Sequence, residues 1–243
     1  MLRAVLFDWG DTLMRWEWDD ALLEAGHRAG LDAIGRADLA ADGLVTARFR
    51  EVYEPLFTQS ETLEELEYPA LVRELLGHFG VEPTSEELDG YLDAEHTAWA
   101  AARQLGATTH ALLESLRSRG LKLGIVSNAL DPGPLLHRDL ADTGVAERID
   151  FAVFSSELGT RKPHPAIFEY ALKALEVTAG ETLFVGDRLY EDVRGASGAG
   201  MKTVQAVWFR ADENPEGAEP DYQAFTQFDV LNIVDRLLDV GPA

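Results

Sequence analysis

Short runs of apolar, β-prone residues punctuate the chain at Ala4–Phe7, Leu123–Val126, Phe151–Phe154, Leu183–Val185 and Thr203–Val207. Their apolar character is continuous instead of alternating, which predicts strands covered on both faces. Helix-like stretches accompany the last four runs, at Thr109–Arg119, Gly133–Thr143, Ala166–Leu175 and Asp192–Ala199. Strand alternating with helix predicts an α/β fold built on a parallel, doubly wound sheet. A short final strand around Tyr222–Phe225 and a closing helix over Asp229–Leu238 complete the pattern.

The first strand stands apart. The stretch between Phe7 and Leu123 is far longer than an ordinary crossover, so something is inserted there. From Arg15 to Arg103 the pattern is helical throughout, with candidates at Asp19–Ala29, Leu39–Phe57, Thr62–Phe79 and Ser85–Ala102. Thr84 followed three residues later by Glu87 reads as a capping box after Pro83. The expected division is therefore a core of residues 1–14 and 104–243, with residues 15–103 as a small helical domain over the sheet. No internal repeat or low-complexity segment interrupts this reading.

Charge and composition narrow the function. With 43 acidic and 21 basic side chains the formal net charge is −22, which excludes a nucleic-acid partner recognised by bulk electrostatics. A hydrophobic share of 46% marks a globular chain rather than a disordered acidic one. The absence of cysteine removes disulfides and thiolate metal sites, so a metal must be held by oxygen or histidine. The start of the chain is too short in apolar residues for a signal peptide, and no run approaches the roughly 18 of a spanning helix. The expectation is a soluble, cytoplasmic protein with no membrane partner.

In an open α/β sheet, ligands bind beyond the carboxyl ends of the strands near the point where strand order reverses. The residues just after the apolar runs are Asp8-Trp9-Gly10-Asp11-Thr12, Ser127-Asn128, Arg161-Lys162-Pro163 and Gly186-Asp187, with Glu191-Asp192 a little further on. Carboxylates from two strands, Asp8 and Asp187, are suited to share a hard cation, which prefers oxygen ligands and keeps room for a substrate phosphate. A lysine and a hydroxyl then balance the phosphate charge, and Asp8 is placed to attack phosphorus in line and form an aspartyl-phosphate.

Each of these residues has a plainer reading when taken alone. An aspartate after a strand is more often a turn or helix cap, and a lysine a solvated charge. Four such groups in order on strand ends tip the balance toward function. Other signals fare worse. Gly195-Ala196-Ser197-Gly198-Ala199-Gly200 fits neither a phosphate loop nor a nucleophile elbow. The six histidines lack ligand spacing. Trp16, Trp18, His96 and Trp99 are candidate substrate contacts, but aromatic residues at helical spacing are more often core.

These motifs resemble those of the haloacid dehalogenase (HAD) superfamily, most of whose members are phosphatases. The superfamily's Asp-x-Asp-x-Thr motif is met by Asp8 and Thr12, its Ser/Thr motif by Ser127, its lysine motif by Lys162, and its acidic motif by Asp187 and Asp192. The helical insert matches the type-one cap. The resemblance implies that Asp8 is nucleophile and Mg²⁺ ligand, with the Gly10 backbone carbonyl and Asp187 as the other protein ligands and Glu191 and Asp192 behind them. It implies that Ser127, the Asn128 backbone and Lys162 hold the phosphoryl oxygens, and that the substrate is a small phosphorylated metabolite. One position departs from the pattern. Where the phosphatases carry a second Asp as acid and base, this chain has Gly10; the neighbouring Asp11 is the candidate substitute. Two alternatives remain beside Mg²⁺-dependent phosphatase activity: a 2-haloacid dehalogenase, whose halide leaves without a proton, and a catalytically weak protein that binds a phosphate or metabolite.

Overall fold

The computed structural model describes residues 1–40, 42–57, 62–214 and 216–239. Its strands are β1 (Ala4–Phe7), β2 (Met14–Trp16), β3 (Arg103–Leu105), β4 (Lys122–Ser127), β5 (Phe151–Phe154), β6 (Thr182–Gly186), β7 (Lys202–Ala206) and β8 (Tyr222–Ala224). Six of them form a parallel sheet in the order β5-β4-β1-β6-β7-β8. The expected α/β fold with a doubly wound parallel sheet is borne out. β1 lies at its centre, between β4 and β6, and the chain winds outward in both directions from there. That is the switch point at which such sheets bind ligands.

The helices are α1 (Asp20–Ala33), α2 (Leu44–Val52), α3 (Glu54–Phe57), α4 (Tyr68–His78), α5 (Ser85–Ala98), α6 (Thr109–Ser118), α7 (Gly133–Asp142), α8 (Ser155–Leu158), α9 (Pro165–Leu175), α10 (Gly195–Gly198) and α11 (Gln227–Asp239). The central strand shows why its sequence is continuously apolar. Val5 and Phe7 join the core that Leu112 and Leu116 of α6 and Val230 and Val234 of α11 build on one face. Ala4 and Leu6 join the core on the other face, with Ile167, Phe168 and Ala171 of α9. Burial of each large apolar side chain contributes about 1.5–3 kcal/mol.

Helices α1 to α5 carry a separate apolar cluster, including Leu31, Phe49, Leu75, Leu76, Tyr91 and Leu92. The chain leaves the sheet region and returns to it through adjacent segments, because β2 pairs antiparallel with β3. This ribbon is absent from the hydrophobic pattern, for three-residue strands with remote partners leave too short a period to detect. Three of the four expected helices are shorter than the pattern predicts, whereas α1 runs on to Ala33, past the expected end at Ala29. In place of one helix over Leu39–Phe57 the structure has a 3₁₀ turn at Ala37–Ala40, then α2 and α3; Ala41 lies outside the described residues. Residues 62–67 are not helical. The Glu65 amide donates to Gly159 O at 3.0 Å and the Arg161 amide to Leu63 O at 3.0 Å, so this segment runs along the core before α4 starts. Within the expected helix Asp192–Ala199, residues Leu189–Arg194 form a π-helical stretch and only Gly195–Gly198 are α-helical.

The capping box at α5 forms as the sequence predicts: Thr84 Oγ1 accepts from the Glu87 amide at 3.2 Å and Glu87 Oε2 accepts from the Thr84 amide at 2.8 Å. Thr84→Ala removes one half of it and is expected to lower stability by about 1 kcal/mol in urea denaturation. An unchanged midpoint would show that the cap contributes nothing to the helical cluster.

Candidate active site

The carboxyl ends of β1, β4 and β6 converge on Asp8. Its amide continues the sheet by donating to Val185 O at 2.9 Å, which fixes where its side chain leaves the strand. Ser127, the last residue of β4, donates its hydroxyl to Asp8 Oδ1 at 2.8 Å. The Lys162 ammonium donates to the same oxygen at 2.6 Å and to Asp192 Oδ1 at 2.6 Å. Asp8 Oδ2 accepts no hydrogen bond among the described residues, so one oxygen is held and the other is left for chemistry.

Lys162 is held from behind by Asn128, whose Oδ1 accepts from the Lys162 amide at 2.7 Å and whose Nδ2 donates to Lys162 O at 3.0 Å. The Asn128 side chain thus positions the lysine. Asp192 Oδ2 accepts from the Arg188 amide at 2.9 Å. Its carboxyl fits because β6 ends in glycine: a Cβ on Gly186 would stand 2.4 Å from Asp192 Cγ.

Asp8, Asp187 and Asp192 are all buried, and each offers a carboxylate oxygen within 4.8 Å of the others. Burial first, then the Asp192 and Asp8 charges, push the Asp187 carboxyl well above the usual range. Burial also raises Asp192, against the opposing pull of Lys162. Burial alone would lower the Lys162 ammonium, but Asp192 and then Asp8 more than reverse it. The lysine is therefore firmly charged, and a single buried ammonium faces three carboxylates. Asp187 Oδ2 is buried without a hydrogen-bond partner among the described residues; Arg210 Nε approaches to 3.3 Å but is not aligned to donate. An orphaned oxygen among all-oxygen donors fits a hard divalent cation such as Mg²⁺.

A cavity of about 470 Å³ opens over these residues toward the helical segment. Gly10, Asp11 and Glu191 also line it. Asp11, however, turns to the ribbon: its Oδ1 accepts from the Trp16 amide at 3.0 Å and its Oδ2 lies 3.4 Å from Arg210. Glu191 stands 3.9 Å from Arg188 and joins no carboxylate cluster. The far wall is aromatic, with Trp99 against Trp16 at 5.3 Å and against Trp18 at 5.2 Å between ring centroids. His96 lies instead between the helical segment and the core, 3.2 Å from Asp131 and 3.1 Å from Asp139.

Sequence reasoning missed the cavity residues Glu65, Tyr68, Glu95, Arg103 and Arg188, and Arg210 beside them. One signal was available. Glu95 falls on the buried stripe of α5 set by Leu88, Tyr91 and Leu92, where an acid is out of place unless it has a task.

With this geometry in place, the comparisons are specific. A family model described as haloacid dehalogenase-like hydrolase matches residues 2–200. The chain is 30% identical over 240 residues to the glyceraldehyde 3-phosphate phosphatase of Methanopyrus kandleri, covering 98% of this chain and 99% of the relative. A HAD phosphatase from Thermococcus onnurineus superposes with a TM-score of 0.62 at 25% identity, over 96% of this chain and 98% of that one. The fold is also shared with a 2-haloacid dehalogenase from Pseudomonas syringae pv. Tomato DC3000, with a TM-score of 0.66 at 22% identity over 98% and 100% of the two chains. The protein belongs to the haloacid dehalogenase-like hydrolases. The expected superfamily and its hydrolase class are thereby borne out. No described helix is long and apolar enough to cross a membrane.

Buried groups on the helical side of the cavity give a pH signature. Glu95 Oε1 accepts from the Tyr68 hydroxyl at 2.9 Å and lies 3.4 Å from His27 Nε2, with Tyr91, His96 and Asp131 nearby. Burial pushes Glu95 up to about 8, and burial with Arg50 brings His27 down to about 4. Near neutral pH both are uncharged, so their contact is not an ion pair. The unfolded Glu95 releases its proton near 4.5 and the folded one only near 8, so its contribution to stability falls as pH rises through that window. His27 acts oppositely between about 4 and 6.5. Relative to Glu95→Gln, the wild type is expected to lose stability from pH 6.5 to 8 by up to about 1.4 kcal/mol per pH unit, read from urea midpoints. A difference that does not vary with pH would mean that Glu95 is ionised in the folded protein.

Proposed function

We propose that the chain is a Mg²⁺-dependent hydrolase of small phosphomonoesters that acts through an aspartyl-phosphate on Asp8. The observation that carries this reading is the asymmetry of Asp8, which lines the cavity: Oδ1 is fixed by Ser127 and Lys162, while Oδ2 accepts no hydrogen bond among the described residues. The phosphatase names of the relatives from Methanopyrus kandleri and Thermococcus onnurineus support it.

In the first step Asp8 Oδ2 attacks phosphorus, the P–O bond to the alcohol breaks, and the departing oxygen takes a proton. In the second, water attacks the same phosphorus, the bond to Asp8 breaks, and inorganic phosphate leaves. Ser127 Oγ, the Asn128 backbone and Lys162 Nζ supply hydrogen bonds and positive charge to the phosphoryl oxygens, where they matter most as charge spreads in the transition state. Asp8, the Gly10 carbonyl and Asp187 are the residues to hold Mg²⁺. Asp192 supports them by fixing Lys162 and the Arg188 amide, and Glu191 stands behind. Bound Mg²⁺ offsets repulsion between the carboxylates and the phosphate and polarises a phosphoryl oxygen. Residues 15–103 act as the cap, excluding water and shaping the substrate end of the cavity.

Proton transfer is the unusual part. Gly10 offers no side chain, and Asp11 is committed to the Trp16 amide and Arg210. Water in the space over Gly10 carries the proton, and Asp11 holds the ribbon. Three converging carboxylates with an unpaired Asp187 oxygen fit a cation and so favour the phosphatase over the haloacid reading, since halide departure needs neither a cation nor a proton.

Asp8→Asn is expected to lower Mg²⁺-dependent p-nitrophenyl phosphate hydrolysis by at least about 10³-fold, and chelation of the metal to stop the wild type. Undiminished activity in Asp8→Asn would overturn the mechanism; phosphate binding without turnover in the wild type would return the non-catalytic alternative.

A Cβ on Gly10 meets nothing within 4 Å, so a side chain can be started there without a backbone shift. Gly10→Asp is expected to raise kcat for alkyl phosphates by up to about 10²-fold. It should change p-nitrophenyl phosphate little, because nitrophenolate leaves unprotonated. If Asp11 already supplied the proton, Gly10→Asp would add nothing and Asp11→Ala would abolish alkyl ester hydrolysis selectively.

A further inference from the structure

Glu95 is 4% exposed, lies on the apolar stripe of α5, and lines the cavity wall opposite the carboxylates of the sheet. Its Oε1 is taken by the Tyr68 hydroxyl, but its Oε2 is buried with no hydrogen-bond partner among the described residues, and the neighbouring Tyr91 hydroxyl makes no aligned bond to it. Burying a carboxyl oxygen unpaired costs free energy. Packing does not explain it, since the neighbouring positions on the stripe are filled by Leu88, Tyr91 and Leu92. His27 does not supply the missing partner: its Nδ1 is engaged with Thr46 at 2.9 Å, and its Nε2 makes no aligned hydrogen bond. An unpaired polar atom in the wall of a binding cavity is what a substrate group completes.

The surroundings restrict that group. Trp16 and Trp99 give the same region a flat apolar surface of the size of a short carbon chain. Arg103 reaches the cavity from β3, but its Nε lies 3.3 Å from Asp139 and its terminal nitrogen donates to His96 O at 2.9 Å. Glu65, Asp131 and Asp139 add acidic character to the lining. Arg161, also in the lining, lies 3.8 Å from Glu65, so each arginine near this end faces a carboxylate of its own, and the described lining residues leave no surplus positive charge for a second anion. A neutral oxygen suits Glu95 best, because a hydroxyl or carbonyl oxygen can accept from the carboxyl and a hydroxyl can also donate to it.

We propose that Glu95 is a specificity-determining residue that binds a hydroxyl or carbonyl oxygen at the uncharged end of a short phosphomonoester, such as a polyol or hydroxycarbonyl phosphate, and disfavours esters ending in a carboxylate or second phosphate. The assignment rests on the phosphatase reading. A site built to hydrogen-bond an oxygen discriminates against the analogue that lacks it, because its own polar group is then left unpaired. The carbon chain lies on the tryptophan wall and the phosphate at Asp8 and Lys162.

The test compares kcat/KM, with Mg²⁺ present, for glycerol 3-phosphate, propyl phosphate and 3-phosphoglycerate in the wild type, Glu95→Gln and Glu95→Leu. The wild type is expected to prefer glycerol phosphate over propyl phosphate by about ten- to hundredfold, and 3-phosphoglycerate least. Glu95→Gln, which still donates and accepts, keeps the glycerol-to-propyl ratio within a few fold, whereas Glu95→Leu brings it near unity. A ratio unchanged in Glu95→Leu overturns the assignment, as does a wild type that prefers the carboxylated ester, a result that needs no variant to fold. Propyl phosphate separates the two levels of the argument. Its cleavage by wild type and not by Asp8→Asn leaves the phosphatase reading standing when the ratios fail, whereas no cleavage of any ester by the wild type overturns both.

Discussion

The ion pairs of the buried Lys162 ammonium organise the catalytic end of the sheet. Lys162 is 2% exposed and bonds carboxylates from two strand ends at once, Asp8 after β1 and Asp192 beyond β6. A buried pair of this kind gains little net stability, because desolvating the charges offsets most of their attraction. The arrangement makes sense as chemistry. The lysine neutralises enough charge to let Asp8 lie buried beside Ser127, and leaves Asp187, whose carboxyl burial and its acidic neighbours push up, as the group that the proposed cation would compensate. The local backbone serves this charge cluster: Asn128 clasps the lysine main chain, and the missing Cβ of Gly186 admits Asp192. The π-helical stretch from Leu189 to Arg194 places the Asp192 carboxyl against the Arg188 amide.

The helical segment meets this site mainly through polar contacts. His96 faces Asp131 and Asp139 of the core, and Ser155 donates to Glu65 at 2.5 Å. The β2/β3 ribbon, steadied by Asp11, joins the two parts covalently. The apolar cores on either side are largely separate, with Leu130 and Leu135 reaching from the core into the helical cluster. An interface of ion pairs and main-chain bonds separates at lower cost than an apolar one, since the exposed groups regain water. That is the property that the proposed role as a cap, admitting substrate and releasing phosphate, would need. Arg210 ties the two functions together, because it reaches both Asp11 at the ribbon and Asp187 at the site.

The sheet was legible because its strands are buried on both faces, so that Ala4–Phe7 and its partners stand out as unbroken apolar runs. The residues at the sheet ends were legible for a related reason: Asp8, Ser127, Lys162 and Asp187 each follow such a run or its adjoining loop, and short motifs carry them. The helical segment was legible in kind and not in detail. Its helices are set by tertiary contacts, and residues 62–67 are extended because the core offers main-chain partners that no local pattern reveals. Arg210 and Glu95 were missed for different reasons. Arg210 sits on a loop far from Asp11 and Asp187 in sequence, whereas Glu95 interrupts an apolar stripe and was there to be seen. Asp11 shows the opposite limit: adjacency to Gly10 in sequence says nothing of the direction of its carboxylate, which the ribbon amide decides.

The net charge of −22, taken by itself, opposes an anionic substrate. Distance and burial resolve the conflict. At physiological ionic strength the charges on the outer surface are screened beyond about 8 Å, so they set a modest long-range repulsion that weakens further with salt. Inside the cavity the screening is poorer and each local charge counts for more. There Lys162 and Arg188, with the cation proposed for Asp8 and Asp187, act on one end, and Glu65, Asp131 and Asp139 beside the uncharged Glu95 on the other. The polarity of the cavity then does two things at once. On the proposed reading it draws the single phosphate toward Asp8, and it makes the reverse orientation, or a second anion at the tryptophan wall, unfavourable. The acidic surface thereby slows encounter without opposing capture, and selectivity is set where desolvation makes charge most effective.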